Sequence, residues 1–289
     1  MSHPHPVSKK IIIGLCTYNN EFGLSNGVLD NLAFLFESKC FLKMHVVFFY
    51  DQSQDRSIYI LKSFQNKYPE NVFIIENAIN PGNLKTEKIA FARNGILDFI
   101  RKSPEKYDFF AMMDSNEYSC VGKIDIDHLL EVFYLTTEWD AVSFVREAGY
   151  YDHWALSYDP FIYSFFHFTN WQKVVAMMRE DFNGRYLPSF REGDFMPVYS
   201  AFNGFAIYKI EKFIDCNYSS IINNSLFPEN SIQNEIDIVR EKIVGVKNDC
   251  EHRHFHLESI RKYDSNICIY NKSVFKKVKY PLAKLRGPC

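Results

Sequence analysis

The sequence contains no run of about 18 apolar residues, so no segment is expected to span a bilayer. Its first residues, MSHPHPVSKK, are polar and lead straight into IIIGL, without the apolar stretch of a secretory signal. Positive charge is not in excess. Thirty-three Lys and Arg stand against 35 Asp and Glu, a formal net charge of −2. That excludes a protein that works by coating nucleic acid, which needs a basic surplus to displace counterions. Paired cysteines are lacking too. The seven (Cys16, Cys40, Cys120, Cys216, Cys250, Cys268 and Cys289) are odd in number and scattered. This suits free thiols in a reducing compartment, so a cytoplasmic location is the expectation. No internal repeat, low-complexity segment or Gly/Ser linker interrupts the chain, and no GxGxxG or GxxxxGK(S/T) loop follows any apolar run. A dinucleotide fingerprint and a phosphate-cradling loop are thereby excluded.

What is present is ordinary globular composition with many aromatics. The chain has 289 residues, 47% hydrophobic and 24% charged, with 27 Phe and 18 Tyr. A chain of this size buries most of its apolar surface without disulfides. Most of the aromatics are expected in the core, and some of them in a sugar or base pocket.

Strand-like apolar runs alternate with helical periodicity through the first half. Ile11–Leu15, His45–Tyr50, Val72–Ile75, Phe109–Met113 and Ala141–Val145 read as strands. Val28–Glu37, Ser57–Lys67, Thr86–Ile100 and Ile126–Tyr134 place apolar residues at the 3.6-residue period of helices. This alternation predicts an α/β fold: a mostly parallel sheet flanked by helices. The aromatic-rich second half is less regular, with Phe205–Tyr208 as a strand and Ile232–Glu241 as a helix. The expected organisation is a tail over 1–10, a single domain over 11–271 (halves 11–145 and 146–271) and a basic tail over 272–289. That last stretch carries Lys272, Lys276, Lys277, Lys279, Lys284 and Arg286 and no acid. It reads either as a solvated tail or as a contact with an anionic membrane surface or a lipid-linked acceptor.

In parallel α/β sheets ligands lie beyond the carboxyl ends of the strands. Acid and amide residues stand there: Thr17, Tyr18 and Asn19 after the first strand, Asp51 after the second, and Asp114-Ser115-Asn116 after the fourth. A strand-end carboxylate followed two residues later by another oxygen ligand holds a hard cation such as Mn²⁺ or Mg²⁺. The same residue types also form plain turns. Cys250-Glu251-His252-Arg253-His254-Phe255-His256 reads as a strand with its histidines on one face, either a ligand source or a polar edge. Arg93 sits within an apolar helical face. It either pairs with an acid such as Glu87 or Asp108, or meets an anion.

Taken in order, several segments resemble GT-A-type glycosyltransferases. FFYDQSQDRS (48–57) is similar to the strand-plus-DxSxDxS/T turn of that group, and AMMDSNE (111–117) stands where its DxD motif belongs. TEKIAFARN (86–94) and GYYDHWAL (149–156) resemble the ARN helix and YYDxWALR motif of a set of bacterial, viral and fungal sugar transferases. PVYSAFNGFAIY (197–208) and CEHRHFH (250–256) resemble segments of fungal capsule-associated α-mannosyltransferases. Two positions depart: the DxD third position is Asn116, and the Arg of YYDxWALR is Ser157.

The resemblance implies a GT-A fold and metal-assisted transfer from a UDP- or GDP-sugar to a glycan, lipid-linked or other hydroxyl acceptor, with retention implied by the α-mannosyltransferase likeness. It implies Mn²⁺ or Mg²⁺ on Asp114, Asn116 and His256, the last preferred because that pattern places its His at the end. Thr17, Tyr18, Asn19 and Asp51 would bind the nucleoside, and Arg93 and Asp114 would lie near the diphosphate. Trp154, Asn203 and Gly204 would shape the sugar and acceptor pocket. Asp152, Glu192 and Asp194 are the candidates for a catalytic base. Two alternatives stand beside it. A sugar-nucleotide pyrophosphorylase is disfavoured because CTYNNEFGLSNG has no Arg. A catalytically degenerate carbohydrate-binding or scaffold protein is favoured by the two departures.

Overall fold

The computed structural model of the protein describes residues 6–116, 122–147, 149–245 and 248–276. Its strands are β1 (Val7–Thr17), β2 (Phe41–Asp51), β3 (Val72–Asn77), β4 (Phe109–Met113), β5 (Lys123–Ile124), β6 (Ala141–Phe144), β7 (Phe195–Val198), β8 (Phe205–Lys209), β9 (Ile267–Tyr270) and β10 (Phe275–Lys276). One eight-stranded sheet has the order β3-β2-β1-β4-β8-β6-β9-β7, and β5 pairs separately with β10. β1 runs parallel to β2 and β4, β2 to β3, and β6 to β9. β8 lies antiparallel between β4 and β6, and β7 is antiparallel to β9 at the edge. So β1, β2, β3, β4, β6 and β9 point one way, and β7 and β8 the other. The expected mostly parallel α/β sheet is what the chain forms.

The central strands read as near-continuous apolar runs because both faces of the sheet are covered. Successive side chains go to opposite sides. Ile12, Val47, Phe49, Phe110 and Met112 enter one core layer, while Ile11, Ile13, Val46, Phe48, Ala111 and Met113 enter the other. The first layer is closed by helix Lys85–Lys102 through Ala90, Ile96, Leu97 and Ile100, and by helix Trp171–Asp181 through Val174 and Met178. The second is closed by helices Leu29–Ser38, Ser57–Lys67 and Ile126–Tyr134. Helix Lys85–Lys102 sits low on β1: a Cβ on Gly14 would lie 2.6 Å from Ile96. That close approach carries Arg93 in beside the end of β4.

Three expectations are corrected. β1 begins at Val7, four residues inside the expected tail, where Val7 pairs with Phe41. Residues 251–256 are helical, at the start of helix Glu251–Tyr263, with Cys250 as its extended N-cap. Sequence alternation of histidine suggested a strand, but Phe255 and Ser259, four apart, are both buried, as a helix requires. The basic tail starts later than expected. Lys272 pairs with Glu131 at 2.7 Å, Lys276 pairs with Asp125 at 2.6 Å, and β10 joins β5. Both lysines are thus engaged by acids of the fold, and residues 277–289, the remainder of the proposed membrane contact, lie outside the described residues. As expected of most aromatics, Tyr150, Tyr158, Phe161, Tyr163, Phe165 and Phe168 of the aromatic-rich half are core residues of the first layer. Among the described residues no helix is long and apolar enough to cross a membrane.

Candidate active site

The carboxyl ends of β1, β2 and β4 meet in a hydrogen-bonded lattice. The turns after β1 and β2 interlock: the Asn19 amide donates to Ser53 Oγ at 3.0 Å, and the Gln54 amide donates to Asn19 Oδ1 at 2.8 Å. Asn19 has φ +49°, a left-handed conformation that Asn tolerates better than most residues. The Asn20 and Glu21 amides donate to Ser57 Oγ and Asp55 Oδ2. Asp51 accepts from Asn77 Nδ2 at 2.6 Å, tying the end of β2 to β3. Ser115 Oγ lies 2.6 Å from the Cys16 carbonyl and 2.9 Å from Asn20 Oδ1, tying the Asp114-Ser115-Asn116 turn to β1. Thr17 is buried, and its hydroxyl has no hydrogen-bond partner among the described residues. Buried polar groups are seldom left so. Tyr18 beside it is 57% exposed.

Asp114 is held at the end of β4 through its backbone amide, which donates to the Gly204 carbonyl at 2.9 Å. Its carboxylate faces Arg93, with Nη2 3.4 Å from Oδ1. Arg93 Nη1 also donates to Glu251 Oε1 at 2.5 Å and contacts His252 Nε2. The guanidinium lies over the rings of Phe202 (4.5 Å) and Tyr218 (5.5 Å). Burial alone would lower the pKa of Arg93; Glu251 and Asp114 outweigh it and hold the group above its ordinary value. A buried guanidinium thus joins two carboxylates far apart along the chain. Burial, followed by the charge of Arg93, holds His252 well below the ordinary imidazole range, so the ring is neutral. Burial likewise pushes the Cys16 thiol up to about 12, which leaves it protonated.

Asn203 and Gly204 are consecutive left-handed residues, φ +55° and +86°. Asn203 Oδ1 accepts from the Tyr151 and Asp152 amides at 3.1 and 3.3 Å, and its Nδ2 donates to the Phe144 carbonyl at 2.8 Å. The pair therefore clamps the GYYDHWAL segment against the ends of β6 and β4. Its side-chain groups are spent on the protein, so the expected close approach of Asn203 to a sugar gives way to a scaffolding role. The clamp brings Asp152 toward Asp114. Burial first, then the charge of Asp114, raises the Asp152 carboxyl from 3.8 to about 6. Trp154 packs edge-on against Phe166 at 5.2 Å, and its buried Nε1 has no partner among the described residues.

The Asp152 shift has a checkable consequence. The folded chain holds this proton to a higher pH than the unfolded chain does, so stability falls as pH rises from about 4 to about 6 and stays penalised above that. Asp152→Asn is expected to raise stability at pH 7.5 by on the order of 1–3 kcal/mol and to add nothing at pH 4. Thermal melts at the two pH values check this; an equal gain at both would remove the assignment.

Two of the expected placements are corrected. Asp194 precedes β7, where Oδ2 accepts from the Arg191 amide at 2.7 Å and its carbonyl accepts from Asn271. β7 is the far edge of the sheet, four strand spacings from β4, about 19 Å at ~4.8 Å per strand. Glu192 lies in the same turn, so neither acid is gathered with Asp114. His256 is fully buried one helical turn beyond His252. Its Nδ1 lies 2.9 Å from Ser200 Oγ and its Nε2 lies 3.2 Å from Tyr208 Oη, so both nitrogens are committed to hydroxyls. Burial lowers it to about 3. It stacks in the core behind His252 and does not join Asp114 and Asn116.

No group of three His, Cys, Asp or Glu suited to a metal occurs among the described residues. Asp114 and Asn116 nevertheless fit a hard cation of the Mg²⁺ type, which takes one or two protein oxygens and completes its shell with water and substrate phosphate.

No family model matches the sequence, and none of the curated proteins does. Solved structures that resemble the chain include S. aureus TarS 1–349 at 15% identity and TM-score 0.49, covering 92% of this chain and 59% of that one. The mannosyltransferase PcManGT from Pyrobaculum calidifontis, in complex with GDP-Man and Mn²⁺, aligns at 14% identity and TM-score 0.42, covering 96% and 61%. Glucosyl-3-phosphoglycerate synthase from Mycobacterium tuberculosis, in complex with UDP, aligns at 11% and 0.43, covering 95% and 74%.

Glu251 and His252 escaped the sequence reading, which followed the last histidine of CEHRHFH instead of the first two residues after its cysteine. Glu251 is 158 residues from Arg93. Its only local signal is an acid in the first turn of a helix, which most helices show for dipole reasons.

Proposed function

We propose that the chain is a glycosyltransferase that moves a sugar from a nucleoside diphosphate sugar to a hydroxyl acceptor. One arrangement carries the reading. Thr17 with its unpartnered hydroxyl, Asp51, Asp114 and Asp152 stand together at the carboxyl end of the sheet, and Arg93 is buried against Asp114. The motif resemblance supports the same assignment. Tyr18 and Thr17 would take the base and ribose, with Asp51 accepting from a sugar hydroxyl. Asp114 and Asn116 would hold Mn²⁺ or Mg²⁺, whose chemistry is to neutralise the diphosphate leaving group. Arg93 fixes the Asp114 carboxylate. Asp152 would take the acceptor proton as a general base. This role implies inversion, against the retention that the α-mannosyltransferase likeness implies. NMR of the product anomer decides between them.

The second reading, a degenerate sugar-binding protein, draws on Asn116 in the metal position. A thermal-shift screen against UDP-, GDP- and dTDP-sugars, with and without Mn²⁺, tests both. One donor is expected to stabilise the chain in a metal-linked way, by about 2.7 kcal/mol at a hundredfold excess over its dissociation constant. The metal alone should shift the melt little, because the donor completes the cation's shell. Absence of any donor effect would overturn the transferase reading, while donor binding with no product would favour the second.

A further inference from the structure

The first turn of helix Glu251–Tyr263 serves two places at once. Glu251 and His252 reach Arg93, on the side of Asp114. Arg253, the next residue, is 1% exposed and reaches the aromatic segment instead. Its Nε donates to Asp249 Oδ2 at 2.8 Å, and its Nη2 to the Trp154 carbonyl at 2.6 Å. Its Nη1 lies 3.2 Å from both the Leu156 and the Ile162 carbonyls. These three carbonyls span the segment that follows Asp152. From the other side Glu235 Oε2 accepts from the Ile162 and Tyr163 amides at 2.8 and 2.6 Å.

Burying a guanidinium is costly, and an apolar side chain of similar volume would fill the space as well. What an apolar residue lacks is the planar fork of five N–H donors that reaches several carbonyls in fixed directions. We propose that Arg253 is a positioning residue for the acceptor side of the active site: it fixes the Trp154–Ile162 segment, and through it the Asp152 carboxylate and the Trp154 indole, separately from the donor side held by Glu251 and Arg93. The proposal rests on the transferase reading above and gives that site a second, independent anchor on one helical turn.

The test uses full-length Arg253→Lys, which keeps the charge and loses the fork. Hydrogen exchange is expected to show protection over 152–163 reduced at least tenfold, with β4 unchanged. Nucleoside diphosphate release from the stabilising sugar nucleotide, with water as acceptor, gives the second readout. In the variant kcat is expected to fall at least tenfold with donor affinity within twofold. Unchanged kcat, unchanged exchange, or donor affinity lost in step would overturn the proposal. Should Arg253→Lys not fold, Asp249→Asn releases Nε alone, and the same pattern at threefold or more is required. If the wild type binds no sugar nucleotide, the transferase reading has failed in its own screen and the proposal falls with it. If the wild type turns over and the variant is indistinguishable from it, only the positioning role fails.

Discussion

Asp114→Asn is expected to lower sugar transfer by about 100- to 1,000-fold while the chain still folds. The backbone amide of residue 114 keeps its bond to the Gly204 carbonyl, and Arg93 keeps Glu251, so the local structure has little reason to change. What disappears is the negative charge just beyond β4 that the proposed function assigns to the cation and diphosphate. Asn116 is already neutral, so no second acid in the Asp114-Ser115-Asn116 turn compensates. The measurement is the rate of nucleoside diphosphate release with saturating donor, Mn²⁺ and acceptor, alongside a melting curve. A variant retaining more than about a tenth of wild-type turnover would move the chemistry away from Asp114.

How much of this was legible beforehand depended on where the stabilising contacts lie along the chain. Helices Ser57–Lys67 and Ile126–Tyr134 and strand β4 were read to the residue, because each has its own apolar period or a short unbroken apolar run. β7 and β9 were missed. Each is four residues long, β7 carries Pro197, and their strand character comes from partners distant in sequence, β9 lying between β6 and β7. Pro is tolerated in a sheet at an edge, which is where β7 lies. Helix Glu251–Tyr263 was misread for a different reason. Its buried face includes Glu251, His252, Arg253 and His256, so the binary pattern that identifies a buried helical face is inverted there. Buried charge is stabilised by partners distant in sequence, and nothing local announces them. Strand-end logic named Thr17, Asp51 and Asp114 correctly as neighbours across parallel strands, since the rule follows from topology. Glu192 and Asp194 did not come from that rule but from their distance along the chain, which says nothing about distance across strands; the sheet's extension through β8, β6, β9 and β7 could not be ordered from the sequence.

The same distant pairing sets the largest expected change in stability. Arg93→Met leaves Asp114 and Glu251 without the cation between them, and Glu251 is only 6% exposed. Removing one partner from a buried ion pair costs about 3–5 kcal/mol, since the remaining charge stays desolvated. For a chain of this length that is a drop in melting temperature on the order of 10 °C. Arg93→Met/Glu251→Leu discriminates further. It replaces the pair with apolar volume and should recover much of the lost stability, while Asp114 remains beside a site that no longer holds a guanidinium. If Arg93 serves only to neutralise Glu251, the double variant regains transfer together with stability. If it orients Asp114 toward the cation and diphosphate, stability returns and transfer does not. Melting curves and turnover on the same two variants separate these cases. An Arg93→Met chain that melts within about 2 °C of the wild type would show that the buried contact between these two distant segments carries no net stability, in which case a functional role is what remains to account for a buried cation at that position.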